Sequence, residues 1–132
     1  MREEQRNPKK IYAVDNGFKS VFDVSLSSDI GRLYENASFL HLRRKSKEVY
    51  YFLQDQVVDF YCRTDNEKTV ANVSYDISNP ETRKRELNGL VKALHYFGCG
   101  QGFLLTREHE ETTNQEGKTI NILPLWKWLL TF

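Results

Sequence analysis

Asp59 sits among Val57, Val58, Phe60 and Tyr61, a run with strand character. A carboxylate in such a place is costly unless a donor, a cation or a metal ion answers it. In an extended strand alternate residues share a side, so Asp59 falls with Val57 and Tyr61, opposite Val58, Phe60 and Cys62. The stretch 69–77 repeats the pattern, with Ala71, Val73, Tyr75 and Ile77 on one side and Asn72, Ser74 and Asp76 on the other. A hairpin register that joins the polar sides would gather Asp59, Asn72 and Ser74 in mid-sheet. Glu35, upstream on an expected helix between the directions of Phe39 and Leu42, is a fourth candidate. Each residue also has a plainer use. Asp59 could pair with an arginine, Asn72 and Ser74 could face solvent, and Glu35 could bridge to Arg32 or Arg43.

Placing these side chains takes a definite run of elements. A strand is predicted at Lys10–Val14, closed by Asp15-Asn16-Gly17, a strong turn signal. Ser27 or Ser28 reads as the cap of a helix running to about Lys45, with Ile30, Leu33, Tyr34, Ala37 and Leu40 on its apolar face. Strands at 48–53 and 56–62 flank the short Gln54-Asp55 connection as a hairpin, and a third strand covers 69–77. Asn79-Pro80 opens a second helix, with Leu87, Leu90, Val91, Leu94 and Phe97 on one side and a stop at Gly98-Cys99-Gly100. A strand at 102–106, a polar excursion at 108–118, a strand at 119–123 and a terminal helix after Pro124 complete the order. That helix is expected to dock Leu125, Trp126, Trp128, Leu129 and Leu130, although two tryptophans two residues apart cannot both face inward. Residues 1–9 read as a solvated lead-in and 10–132 as one α/β domain, a central mixed sheet flanked by helices.

Composition supports a packed domain and excludes several classes. The chain's 132 residues are 13% aromatic, with a net charge of only +1, which argues against disorder and against global attraction to a polyanion. Its two cysteines match no zinc or redox spacing, and no signal peptide or membrane span is apparent, so a cytoplasmic protein with reduced thiols is expected. His41, His95 and His109 lack ligand spacing. No glycine-rich phosphate loop is present, so the chain is not expected to hydrolyse ATP by itself.

A helix bearing Glu, a strand bearing Asp, and a strand with a place for Glu-x-Lys together resemble the PD-(D/E)XK nuclease superfamily. In that superfamily the carboxylates hold Mg²⁺ and the lysine helps activate water. Here the Glu-x-Lys place reads Asn72-Val73-Ser74, and neither acid nor lysine remains. A closer resemblance spans Lys10 to Leu130. It rests on KIYAVDNGF at 10–18, GRLYENASFLHLRRK at 31–45, EVYYF at 48–52, VVDFYC at 57–62, VANVSYDISNPETRKREL at 70–87 and ILPLWKWLL at 122–130. These segments are similar to the C-terminal domain of unknown function that follows the ATPase module in many prokaryotic AAA-type ATPases. The resemblance implies a restriction-endonuclease-like core with Glu35 and Asp59 in the acidic positions, where a living site would have them as the ligands of Mg²⁺ or Mn²⁺. It also implies a degenerate site, because family members often carry Gln at the position of Asn72. It implies partnership with an ATPase module, and Arg83 or Arg85 folding back toward the acidic cluster.

The reading is therefore a non-catalytic, nuclease-fold domain of an ATPase, serving regulation or nucleic-acid binding. DNA or RNA contact would fall to Arg43, Arg44, Lys45, Arg83 and Arg85. The rivals are a metal-dependent nuclease with a migrated or altered site, and a protein-interaction module that uses a terminal tryptophan.

Overall fold

The structure, a computed structural model, describes the backbone of residues 26–53, 57–63 and 67–132, and the side chains among them other than those of 26–29, 51–53 and 57–59. The strand predicted at 10–14 and the Gln54-Asp55 connection lie outside the described residues. The elements are α1 (Leu26–Lys45), β1 (Val49–Leu53), β2 (Val57–Arg63), β3 (Lys68–Val73), α2 (Pro80–Phe97), β4 (Gln101–Thr106), β5 (Glu111–Gln115), β6 (Lys118–Pro124) and α3 (Leu125–Thr131). The strands form one six-stranded mixed sheet in the order β1-β2-β3-β4-β6-β5. β1, β2 and β3 run as an antiparallel meander, β3, β4 and β6 are parallel neighbours, and β5 returns antiparallel on β6.

Each face has its own core. Under α2, Tyr61, Val70, Leu104, Ile120 and Ile122 of the sheet meet Leu87, Leu90, Val91 and Leu94 of the helix. On the other face Phe60, Cys62, Ala71, Val73 and Leu105 lie beneath Leu42 of α1 and Leu125 and Trp128 of α3. Burying a side chain such as Leu90 or Ile122 is worth about 1.5–3 kcal/mol.

Local signals fix α2 at both ends. The Asn79 side chain accepts from the N–H groups of Glu81 and Thr82, Pro80 begins the helix, and Gly98 closes it in the left-handed region at φ 69°. Lys68 Nζ donates to Phe97 O at 3.2 Å, which answers one of the last carbonyls of the helix. Gly102 lets α2 come close to the sheet, because a Cβ there would lie 3.1 Å from both Leu94 Cδ2 and Val70 O.

Several expectations need correction. Ser27 and Ser28 lie inside α1, which begins at Leu26, so neither is its cap. On α1 the buried side chains described are Asn36, Ser38 and Leu42, while Tyr34 and Ala37 of the expected stripe, together with Phe39, are partly buried and pack against the same core. β3 ends at Val73, four residues before the predicted end, because the chain turns there into α2. Tyr75 and Ile77 therefore do not share the face of Ala71 and Val73, and Ile77 joins the α2 core instead. The polar excursion contains a strand. Glu111–Gln115 pairs with Lys118–Ile122 around a turn at Glu116-Gly117, whose φ values of 51° and 78° suit a tight hairpin. Of the terminal tryptophans Trp128 is buried and Trp126 is 61% exposed, while Leu130, expected to dock, is 82% exposed.

Gly102→Ala is expected to push α2 off the sheet and to destabilise the domain by about 1–3 kcal/mol. Chemical denaturation checks this, and wild-type stability in the variant would show that the close approach at Gly102 is dispensable.

Candidate functional site

Asn72 is 1% exposed and belongs to the β3 face that α2 covers. Its Nδ2 donates to Oε2 of Glu86 on α2 at 2.6 Å. The polar pair thus lies between sheet and helix, where each group answers some of the other's desolvation. Asp59 belongs to β2. Extending the β2–β3 register one residue past the pair Phe60↔Ala71 brings its backbone beside that of Asn72. The Asp59 side chain lies outside the described residues.

The other expected members are placed differently. Glu35 is on α1, the helix of the opposite layer, and is partly buried. Ser74 stands just beyond the end of β3, where its N–H donates to Leu105 O at 2.9 Å, so it belongs to the sheet's carboxyl edge rather than to mid-strand. The residue of α2 that turns to β3 is Glu86, not Arg83 or Arg85. Arg83 Nη1 instead reaches Glu111 Oε1 on β5 at 2.9 Å, and Arg85 is exposed. Among the described residues no group of three or more His, Cys, Asp or Glu side chains is placed to hold a metal ion.

Sequence reasoning missed Glu86 because it sits within a charge run that reads as a solvated face. The available signal was spacing: on a helix opened by Asn79-Pro80, Glu86 directly precedes Leu87 of the apolar stripe.

The basic residues do not form one patch. Arg43, Arg44 and Lys45 are exposed at the end of α1, and Arg43 Nη1 donates to Lys47 O. Lys45 borders the same hollow as Lys68 and Gln101, at the amino ends of β3 and β4. Arg83 lies at the other end of those strands. There a cleft of about 600 Å³ is lined by Tyr75, Asp76, Arg83, Arg107, Glu108 and His109, among others. Arg107 N–H donates to Tyr75 O at 3.0 Å, and its guanidinium carbon lies 5.7 Å from the Tyr75 ring centroid. The Tyr34 ring meets Tyr75 edge-on at 5.0 Å. The buried Thr106 hydroxyl bridges the backbone N–H and C=O of His109 at 3.0 and 3.1 Å, pinning the loop. His109 Nε2 lies 2.8 Å from the same Glu111 oxygen that Arg83 holds.

These contacts set the local proton affinities. Hydrogen bonds from His109 and Arg83 hold the Glu111 carboxyl below its ordinary range. The backbone and side chain of Ser78 do the same for Asp76. On the opposite face burial lowers His41, which tilts against Trp128 at 4.8 Å. Burial raises the Cys62 and Cys99 thiols, so neither is an activated nucleophile.

No family model and no solved structure matches the chain. The uncharacterized protein MJ1544 of Methanocaldococcus jannaschii is 28% identical over 134 residues, covering 93% of this chain and 30% of that protein. The chain thus spans less than a third of the length of the relative it matches.

Acid is expected to destabilise the domain in two stages. His41, Glu111 and Asp76 all have folded values below their unfolded ones, so the stability each contributes is present above the unfolded value and lost as pH falls through the folded one. The imidazole stage begins below about pH 6.5 and the carboxylate stage below about pH 4. Thermal melts across this range should lose the first stage in His41→Phe and part of the second in Glu111→Gln. A wild-type pH profile in both variants would contradict these assignments.

Proposed function

We propose that this chain is a non-catalytic domain of restriction-endonuclease-like fold, the C-terminal module of a prokaryotic AAA-type ATPase, which serves regulation or nucleic-acid binding. The carrying observation is the Asn72–Glu86 hydrogen bond. Where the nuclease motif would present an acid to a metal ion, this chain buries an amide whose N–H end is directed at a carboxylate. A hydrogen-bond donor therefore stands beside the Glu86 charge. Ser74, at the place of the lysine, lacks the cationic group that helps to activate water. The order of helix, three-strand meander, helix and parallel strand agrees with what the resemblance implies. The M. jannaschii relative, much longer than this chain, agrees with a module of a larger protein.

One observation favours a second reading, the metal-dependent nuclease with an altered site. Glu86 brings to Asn72, the cross-strand neighbour of Asp59 in the extended register, the carboxylate that β3 lacks. Asp59 and Glu86 would then hold Mg²⁺ or Mn²⁺ in place of the expected Asp59 and Glu35. The interaction-module reading has the exposed Trp126 and Leu130, four residues apart on α3, as its surface.

Titration calorimetry with Mn²⁺ on the wild type, Asp59→Ala and Glu86→Gln separates the first two readings. Under the non-catalytic reading none of the three binds the ion, and none cuts DNA or RNA with Mg²⁺ or Mn²⁺. Wild-type binding that both substitutions abolish, together with cleavage, would replace it with the nuclease reading.

A further inference from the structure

We infer that the cleft over the carboxyl ends of β3 and β4 binds a phosphate monoester, with Arg107 as its anchor and Glu111 as a resident counter-ion that the ligand displaces. This goes beyond the nuclease-fold reading and uses none of the side chains of Glu35, Asp59, Asn72 and Ser74.

The topology opens the cleft. After β3 the chain leaves into α2 on one face of the sheet, and after β6 it leaves into α3 on the other. β4 ends between these departures, and open α/β sheets bind ligands in the crevice outside strand ends where the connections diverge. At about 600 Å³ the space suits a small molecule or the end of a larger one. Its walls are fixed, because the bonds from Ser74 N–H to Leu105 O and from Arg107 N–H to Tyr75 O carry the β3–β4 pairing past the strand ends.

The donors suit a tetrahedral oxyanion. Arg107 is exposed and makes no ion pair among the described residues, while Tyr75 restrains its guanidinium through the π-face. A contact with the ring face uses none of the N–H donors, and the guanidinium edge matches phosphate geometry. Arg83 and His109 also line the cleft, and both are held on one oxygen of Glu111. A planar carboxylate ligand offers two oxygens, whereas a phosphate monoester offers three, enough to serve Arg107, Arg83 and His109 together.

Asp76 and Glu108 also line the cleft, and with Glu111 they balance its cations. Asp76 is turned into its own loop, where Oδ1 accepts from Ser78 N–H at 2.9 Å. Glu111 is the carboxylate that holds Arg83 and His109, while the Arg107 charge acts on Asp76 without an ion pair, so removing the Glu111 charge should free two of the three donors for the ligand.

Amide-resolved NMR titration of the ¹⁵N-labelled chain tests this, with inorganic phosphate as the probe and acetate at matched ionic strength as the planar control. Phosphate is expected to shift the amides of residues 75–78 and 106–111 saturably. Binding should weaken about tenfold or more in Arg107→Gln and tighten about threefold or more in Glu111→Gln. Adenosine monophosphate and a short oligonucleotide, with and without a 5′-phosphate, then separate the sources. Binding of the mononucleotide assigns a free phosphorylated molecule, and binding confined to the 5′-phosphorylated strand assigns a nucleic-acid end. The inference is overturned by the absence of saturable shifts, by acetate acting equally, or by unchanged phosphate affinity in Arg107→Gln. Unchanged or weaker binding in Glu111→Gln would overturn the counter-ion role. None of these outcomes depends on whether Asp59 or Glu86 binds Mn²⁺.

Discussion

Parallel pairing of β3 with β4 is the constraint from which the rest of this structure follows. Adjacent strands running the same way cannot be joined by a tight turn, so the chain between Val73 and Gln101 must cross a face of the sheet. α2 is that crossing, and Gly102 lets it settle against Val70 and the middle strands. Once one face is closed, the apolar side chains of the other need their own cover. α1 supplies it from before the sheet and α3 from after it.

The same crossing determines the fate of the polar residues. A side chain on the covered face of β3 has no bulk water to turn to, so Asn72 depends on what α2 presents, including Glu86. The start of α2 stands over the carboxyl end of the sheet, which brings Arg83 to Glu111 on β5 and closes one wall of the cleft. Asn79 and Pro80 open the helix, Arg83 ties it to β5, and Glu86 ties it to β3.

Elements whose evidence is local were legible without the structure. The meander's β1 and β2, both ends of α2, β4 and the start of α3 follow from alternation, helical spacing and capping residues. β5 was not legible, because Glu111–Gln115 is polar throughout and pairs only because β6 lies beside it and the Glu116-Gly117 turn brings it back. The end of β3 was missed for a related reason. Val73, Tyr75 and Ile77 continue an alternating pattern, yet the backbone must leave the sheet to begin α2. In the candidate site the proximity of positions 59 and 72 was legible from the hairpin pattern, whereas Glu86 was hidden in a charge run.

The sequence by itself determined the types and order of most elements, the Asn-Val-Ser wording of residues 72–74, and the fact that only one of Trp126 and Trp128 faces inward. These are matters of residue chemistry and of spacing along one segment. Only the tertiary structure decided that Asn72 faces a carboxylate, that Glu35 belongs to the opposite layer, and that Arg83, Arg107, His109 and Glu111 share one edge of the sheet. Those relations join residues from different elements. They depend on which face each helix covers and where each strand stops, neither of which any single segment encodes.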